Sequence, residues 1–145
     1  MKLAKRSPTE MDFSKSIEFA TQQVWDSVLV YSLRSLSVTR NADIRDFSHY
    51  YRGEAFRKKG IFKQAMYEFD QVRLDFEFYF KLQLYRGEML LEQGKYQKAL
   101  TYFQSVDTLS GERLKYIRLD AVYHNIGLCY FHMGKYQEAE DYLLR

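Results

Sequence analysis

Gly94-Lys95-Tyr96-Gln97-Lys98-Ala99 returns further along the chain as Gly134-Lys135-Tyr136-Gln137-Glu138-Ala139. Working outward from this pair of stretches, six of the seven glycines fall into three pairs with a spacing of seven: Gly53 and Gly60, Gly87 and Gly94, Gly127 and Gly134. Two residues after each second glycine stands a ring (Phe62, Tyr96, Tyr136), five residues after it an alanine (Ala65, Ala99, Ala139), and four beyond that a large apolar residue (Phe69, Phe103, Leu143). Self-similarity at a fixed offset is the signature of a repeat array, in which each unit is one supersecondary element stacked on the next.

The two glycines of a pair have different reasons to be there. Gly53, Gly87 and Gly127 lie inside runs with helical patterning, where glycine costs about 1 kcal/mol relative to alanine. Close approach of a second helix has to compensate, and the alanine twelve residues on is the expected counterpart, so Gly87 is predicted to abut Ala99. Gly60, Gly94 and Gly134 stand where that first helix should stop, in the position of a left-handed C-cap. The second helix then presents Ala65, Phe69 and Val72, and in the next unit Ala99, Phe103 and Val106, an i, i+4, i+7 stripe that reads as core.

Composition narrows the class. A chain of 145 residues with a net charge of +3 and 46% hydrophobic residues fits one globular domain. So small a positive excess argues against a dedicated nucleic-acid surface, for which a clustered basic face is expected. A single cysteine, Cys129, rules out an internal disulfide framework and a zinc ribbon and suits a reducing compartment. Residues 1–8 hold no apolar core of a signal sequence, and no run of about 18 apolar residues occurs anywhere. The expectation is an intracellular protein, cytoplasmic or nuclear, with no membrane contact. One proline, Pro8, and seven glycines are too few breakers for a turn-rich sheet protein, while 13 tyrosines and 11 phenylalanines supply ample packing material. The fold class expected is all-α.

The glycine pair, ring, alanine and second apolar residue, repeating at 34 residues from Gly60 to Gly94, resemble the tetratricopeptide repeat over residues 46–145. The resemblance implies a solenoid of antiparallel helix pairs, with repeats at 46–79, 80–113 and 114–145, the last cut short. Two features depart from the family's pattern: Arg52 and Arg86 stand where leucine is usual, and no repeat ends in proline. Six extra residues separate the second unit from the third, and a longer first helix over 112–133, N-capped by Ser110, would absorb them.

The resemblance also implies a function, which is to bind protein or peptide along a concave face lined by the first helices. Carried over by position, that face comprises Phe47, Tyr50, Glu54, Arg57 and Lys58; Lys81, Leu84, Glu88, Leu91 and Glu92; and Ala121, His124, Leu128, Phe131 and His132. Some family members hold a chaperone's C-terminal carboxylate with a Lys, Asn, Asn, Lys, Arg clamp. The matching places here read Tyr50, Glu54, Tyr85, Ala121 and Asn125, so that clamp is missing.

Residues 1–7 read as a disordered start, and Ser7-Pro8-Thr9-Glu10 as a capping box with proline at the first helical position. Residues 8–40 then form either one long capping helix or a degenerate repeat. For the second case Ala20, Ser27 and Ser32 supply small-residue spacing, with Asp26 or Ser27 capping the second helix. Val24, Trp25, Val28, Leu29, Tyr31 and Leu33 offer more apolar surface than one stripe uses, which points to self-association through these helices, a homodimer being the commonest case. Residues 23–106, opening with Gln23-Val24-Trp25-Asp26-Ser27-Val28-Leu29-Val30-Tyr31, are similar to the N-terminal region of tetratricopeptide subunits of the anaphase-promoting complex, which homodimerise there. That resemblance implies a scaffold in a multisubunit ubiquitin ligase of the cell cycle; the competing class is the sensor or interaction module of a bacterial regulator. Because the stripe of the last helix stops at Leu143, the sequence reads as the N-terminal piece of a longer protein.

Enzymatic readings find little footing. His124, Cys129 and His132 invite a metal, but the two histidines lie roughly 12 Å apart along one helix, too far to share a zinc ion. Glu54 and Glu88 occupy equivalent positions and resemble a carboxylate pair, yet no nucleophile or base-orienting group accompanies them. No catalytic residue, cofactor or metal ligand is expected.

Overall fold

The computed structural model describes residues 7–107 and 118–145. Among them the chain is all helical: α1 Pro8–Thr21, α2 Trp25–Val38, α3 Ala42–Lys58, α4 Phe62–Asp70, α5 Tyr79–Glu92, α6 Tyr96–Asp107, α7 Leu119–His132 and α8 Tyr136–Leu143. They belong to two compact units, one running to Tyr79 and one from Phe80 to Arg145.

In the first unit α1 packs on α2, α2 on α3 and α3 on α4. Ser7 starts α1 as expected: its Oγ accepts from the Glu10 N–H at 3.2 Å, and the Glu10 carboxylate accepts from the Ser7 N–H at 3.1 Å. Of the start read as disordered, Ser7 is therefore a fixed cap, and residues 1–6 lie outside the described part. Asn41 caps α3 by accepting from the N–H groups of Asp43 and Ile44 at 2.9 and 3.2 Å. That sets the helix start at Ala42, four residues before the boundary read from the repeat pattern.

Residues 8–38 form two helices, and their register differs from the expected one. The turn after α1 is built like the turn after α3. Gly60 N–H donates to Arg57 C=O at 3.0 Å and Ile61 N–H to Phe56 C=O at 2.9 Å; Gln23 N–H donates to Ala20 C=O at 3.1 Å and Val24 N–H to Phe19 C=O at 2.9 Å. This is the Schellman arrangement, with its left-handed residue at Gly60 (φ 77°) and at Gln23 (φ 59°). Gln23 thus stands for the turn glycine and the fully buried Ser16 for the crossing glycine. Val28 and Ser32, also fully buried, stand for Ala65 and Phe69. The Ala20, Ser27, Ser32 register is four residues out, because both glycines that mark the other pairs are replaced here. Neither Asp26 nor Ser27 caps α2; its N-cap is Val24, with no side-chain bond.

In the second unit α5 and α6, and α7 and α8, are again joined by three-residue turns centred on Gly94 and Gly134, at φ 75° and 77°. The predicted stripe Ala99, Phe103 and Val106 is fully buried, with Leu82, Met89, Val122, Ile126 and Cys129 completing the core. The crossing glycine, however, is met first by the large apolar residue of the second helix. A Cβ on Gly87 would lie 2.6 Å from Phe103 Cε1, and one on Gly53 2.2 Å from Phe69 Cε1, so each glycine makes room for the aromatic residue sixteen positions on. The nearest neighbour of Gly87 is thus Phe103, ahead of the expected Ala99; at Gly127 a Cβ would lie 2.6 Å from Leu143 Cγ and 3.4 Å from the Ala139 backbone oxygen, so there the alanine approaches as well.

The longer first helix expected for the last repeat is not seen either. Arg118 is an extended N-cap (φ −86°, ψ 93°), and α7 begins at Leu119. The proposed cap Ser110 lies outside the described residues.

Arg52, at one departure from the family's pattern, carries a buried network in the first unit. Its Nε donates to Glu68 Oε1 at 3.1 Å and its Nη1 to the Leu29 carbonyl at 2.7 Å, while His49 Nδ1 lies 2.7 Å from Glu68 Oε2. α2, α3 and α4 are thereby tied at one point. Arg86, at the other departure, is buried, its Nη1 donating to Gln83 Oε1 at 2.7 Å and its guanidinium lying over the Tyr102 ring.

Candidate peptide-binding face

The face expected along the first helices is partly covered by rings in the first unit, and a cavity lies against it in each unit. In the first unit Phe47 is half-buried and Tyr50 only 5% exposed. Both are covered by the segment between α4 and α5. Phe76 packs edge-on to Phe47 at 4.8 Å and against Tyr50 at 5.5 Å; Phe78 lies 6.0 Å from Phe47 and 6.5 Å from Tyr50. Phe13 and Tyr51 complete the group of rings. A clasp holds the start of this segment, since Asp46, itself 4% exposed, accepts from the Arg73 backbone N–H at 3.2 Å and from Arg73 Nε at 2.7 Å. Tyr50 is therefore an internal packing residue, whereas Phe47 also lines a cavity of about 240 Å³ with Asp43, Asp46, Arg73, Asp75, Phe76 and Glu77. Glu54 and Arg57 are half-buried and Lys58 exposed on the same helix. The sequence signal for this ring packing is the aromatic pair Phe76 and Phe78 in an eight-residue connection where the other described helix turns use three.

In the second unit a cavity of about 180 Å³ lies between α5 and the start of α7. Phe80, Lys81, Leu84, Tyr85 and Glu88 form one wall, and Arg118, Ala121, Val122 and Asn125 the other. Four of the expected groove residues, Lys81, Leu84, Glu88 and Ala121, are thus brought together. Phe80 and Val122 are core residues whose edges floor the cavity, and counting positions misses them because they fall beside the lining positions. Arg118 precedes the helix and lies outside that counting.

The remaining expected residues do not line this cavity. Leu91 and Leu128 are half-buried, and Glu92 and His124 exposed. His132 stacks on Tyr96 at 4.7 Å with an interplanar angle of 8°, and Phe131, half exposed, packs edge-on to Tyr136 at 5.5 Å. These rings make a separate patch at the turn end of the helices.

Of the N-terminal residues expected to meet a second chain, Val28 is fully buried within the first unit, and Tyr31 stacks on Phe19 at 5.5 Å with the cations of Lys15 and Arg34 over its ring. Neither is free surface. The buried side of α2 consumes them, because α1 and α3 pack there. Trp25 and Leu29 are half-buried, whereas Val24 and Leu33 are 41% and 53% exposed, and Val30 joins them at 50%.

Cys129 sits inside the α7 core, and burial pushes its thiol up to about 11, so it is protonated and inert at neutral pH. His124 and His132 are on the outside of the same helix. Among the described residues no group of three His, Cys, Asp or Glu side chains is placed to hold a metal ion, and no helix is long and apolar enough to cross a membrane.

Comparison with known proteins adds the family. The model of the tetratricopeptide repeat matches residues 79–145, from the start of α5 to the end of the chain. No curated protein matches the chain.

Proposed function

This is a tetratricopeptide repeat protein over residues 79–145, and from that premise we propose that it is a non-catalytic scaffold whose second unit takes a peptide segment of a partner protein in the cavity between α5 and α7. Tetratricopeptide repeats mediate protein–protein interaction. The observation that carries the reading is the hollow itself: Leu84 and the edges of Phe80 and Val122 make an apolar floor, and Lys81, Glu88 and Asn125 are polar groups around it. An apolar floor with a few polar groups is the usual form of a recognition site.

Two finer points belong to the same reading. The pairs α3–α4 and α1–α2 are further repeats, supported by the shared turn geometry at Gly60 and Gln23. The exposed side of α2 serves self-association, supported by the run of Val30 and Leu33 on it. A place in a multisubunit assembly of the anaphase-promoting kind rests on the resemblance of residues 23–106.

The test is affinity capture with the full chain, wild type beside Leu84→Asp, with partners identified by mass spectrometry and Lys98→Ala as a surface control. Partners lost with Leu84→Asp and kept with Lys98→Ala are expected. Identical partner lists for all three would overturn the cavity as the binding site, and subunits of one complex among the Leu84-dependent partners would support the assembly.

A further inference from the structure

The cavity of the first unit lies between the first turns of α3 and the connection that follows α4, and its lining is one-sided in charge. Asp43 and Asp46 of α3, with Asp75 and Glu77 of the connection, put four carboxylates around it against a single guanidinium, that of Arg73. The chain as a whole has a net charge of +3, so this is a local reversal. The repeat register does not demand it, since Asp46 advanced by 34 residues becomes Phe80.

Arg73 answers only part of that charge. Its Nε donates to Asp46 Oδ2 at 2.7 Å and its Nη2 to Asp43 Oδ1 at 3.1 Å, which ties the connection to α3. Asp75 and Glu77 are exposed, and neither forms a salt bridge among the described residues; Asp75 only adds to the field at Arg73. Two successive turns set them on either side of the buried Phe76, closed by the Phe76 N–H on the Arg73 carbonyl at 3.1 Å and the Tyr79 N–H on the Phe76 carbonyl at 3.0 Å. Like charges gathered round one cavity repel one another, and an added cation relieves the repulsion.

Two observations fix the kind of cation. Among the described residues no three carboxylates are placed to hold a metal ion, so these four are spread round the cavity and not converged on a point. Between them the walls are apolar, formed by the half-buried Phe47 ring and the edge of Phe76. A cation that meets both has a flat charged head, which separated acceptors can share, on a stem that lies along rings. Guanidinium has that form: its N–H donors lie in one plane, it stacks on aromatic faces, and it gives up water more readily than an ammonium group. We infer that this cavity takes an arginine side chain of a partner protein, its guanidinium shared between Asp75 and Glu77 and its stem against Phe47. The site lies outside residues 79–145 and does not depend on the cavity between α5 and α7.

The probe is N-acetyl-arginine methylamide, titrated into the isotope-labelled full chain and followed by backbone amide chemical shifts. N-acetyl-lysine methylamide and the uncharged isostere N-acetyl-citrulline methylamide are run beside it. Saturable shifts centred on residues 43–47 and 73–77 are expected at about millimolar concentration, the range of a single anchor side chain. The lysine compound should bind about 3-fold more weakly and the citrulline compound about 10-fold or more, and added salt should weaken the two cations but not citrulline. Asp75→Asn together with Glu77→Gln should cost about 5- to 10-fold with the unliganded spectrum otherwise unchanged. Should that pair disturb the fold, Glu77→Gln alone, at about 3-fold, decides the matter. Leu84→Asp should leave the arginine shifts as they are.

Citrulline or lysine bound as tightly as arginine overturns the inference, and so does unaltered affinity in the carboxamide variants. Shifts spread equally over carboxylates elsewhere on the chain, or no saturable shift up to about 50 mM, overturn it as well. All of these results leave the cavity of the second unit untouched, because that reading stands or falls on Leu84-dependent capture.

Discussion

At the scale of single residues, the least expected feature is Gln23 in the left-handed conformation that glycine adopts at the other three helix-pair turns. For an L-residue with a side chain that conformation costs roughly 1–2 kcal/mol. The surrounding hydrogen bonds and the packing of α1 on α2 offset the cost. Replacing Gln23 by glycine removes the strain but loosens the unfolded chain, a smaller opposing effect. Gln23→Gly is therefore expected to raise stability by about 0.5–1 kcal/mol, read as a higher urea midpoint at unchanged slope. A lower midpoint would mean that the glutamine side chain makes a contact worth more than the strain. The same residue explains what the sequence disclosed. Where glycine occupies both special positions, at 53 and 60, 87 and 94, 127 and 134, the turns and crossings were legible from spacing alone. Ser16 and Gln23 fill those positions by burial and by tolerated strain, which no residue type announces, so the first pair was read in the wrong register.

Between elements, the decisive contact is the Glu68 carboxylate, 6% exposed, held by His49 and Arg52 while Arg52 also reaches the Leu29 carbonyl. Long-range pairing of this kind leaves no local pattern. From sequence, Arg52 showed only as a departure from the family's leucine. Burial pushes the Glu68 pKa up, but the His49 hydrogen bond and the charge and hydrogen bond of Arg52 outweigh it, and the net result is a carboxyl below its ordinary range. A carboxylate whose folded pKa is depressed contributes stability that is complete above its unfolded value, near 4.3, and is lost as pH falls through the folded value. Glu68→Gln is accordingly expected to lower the melting temperature at pH 6 and to lose much of that deficit below pH 4, where the wild-type carboxyl gains its proton. A deficit that is the same at pH 3 and pH 6 would assign the loss to packing. Arg52→Leu, although it restores the family's usual residue, leaves Glu68 buried without its cation and should cost about 3–5 kcal/mol. Of the candidate site, Lys81, Leu84, Glu88 and Ala121 were legible because the repeat register carries them. The packing of Phe76 and Phe78 on Phe47 and Tyr50 was not, because it depends on the path of a connecting segment and not on the helix register.

For the whole molecule, the open question is what α2 does with the side it turns away from α1 and α3. Asp26, Val30, Leu33, Arg34 and Ser37 share that side, opposite the buried Val28, Ser32 and Ser35. Asp26 and Arg34 are each four residues from Val30, one on either side. Two α2 helices crossing antiparallel at Val30 would thus set Asp26 of each against Arg34 of the other, with Val30 and Leu33 between, as a two-fold interface requires. Asp26 already pairs with Lys59 of its own chain but keeps 82% of its side chain exposed, leaving it within reach of a second cation. Such an arrangement puts the two Val30 side chains next to the symmetry axis. Val30→Cys should then give a disulfide-linked dimer on mild oxidation, without interference from Cys129, whose thiol is buried and held at about 11. Ser37→Cys, seven residues along the same side, should link far more slowly, because its copies lie at opposite ends of the crossing. Sedimentation equilibrium of the unmodified chain supplies the independent check, with a dimer expected at tens of micromolar. A well-folded monomer at that concentration would refute self-association through α2, while a dimer in which Val30→Cys and Ser37→Cys link equally slowly would keep the association and move it to another face.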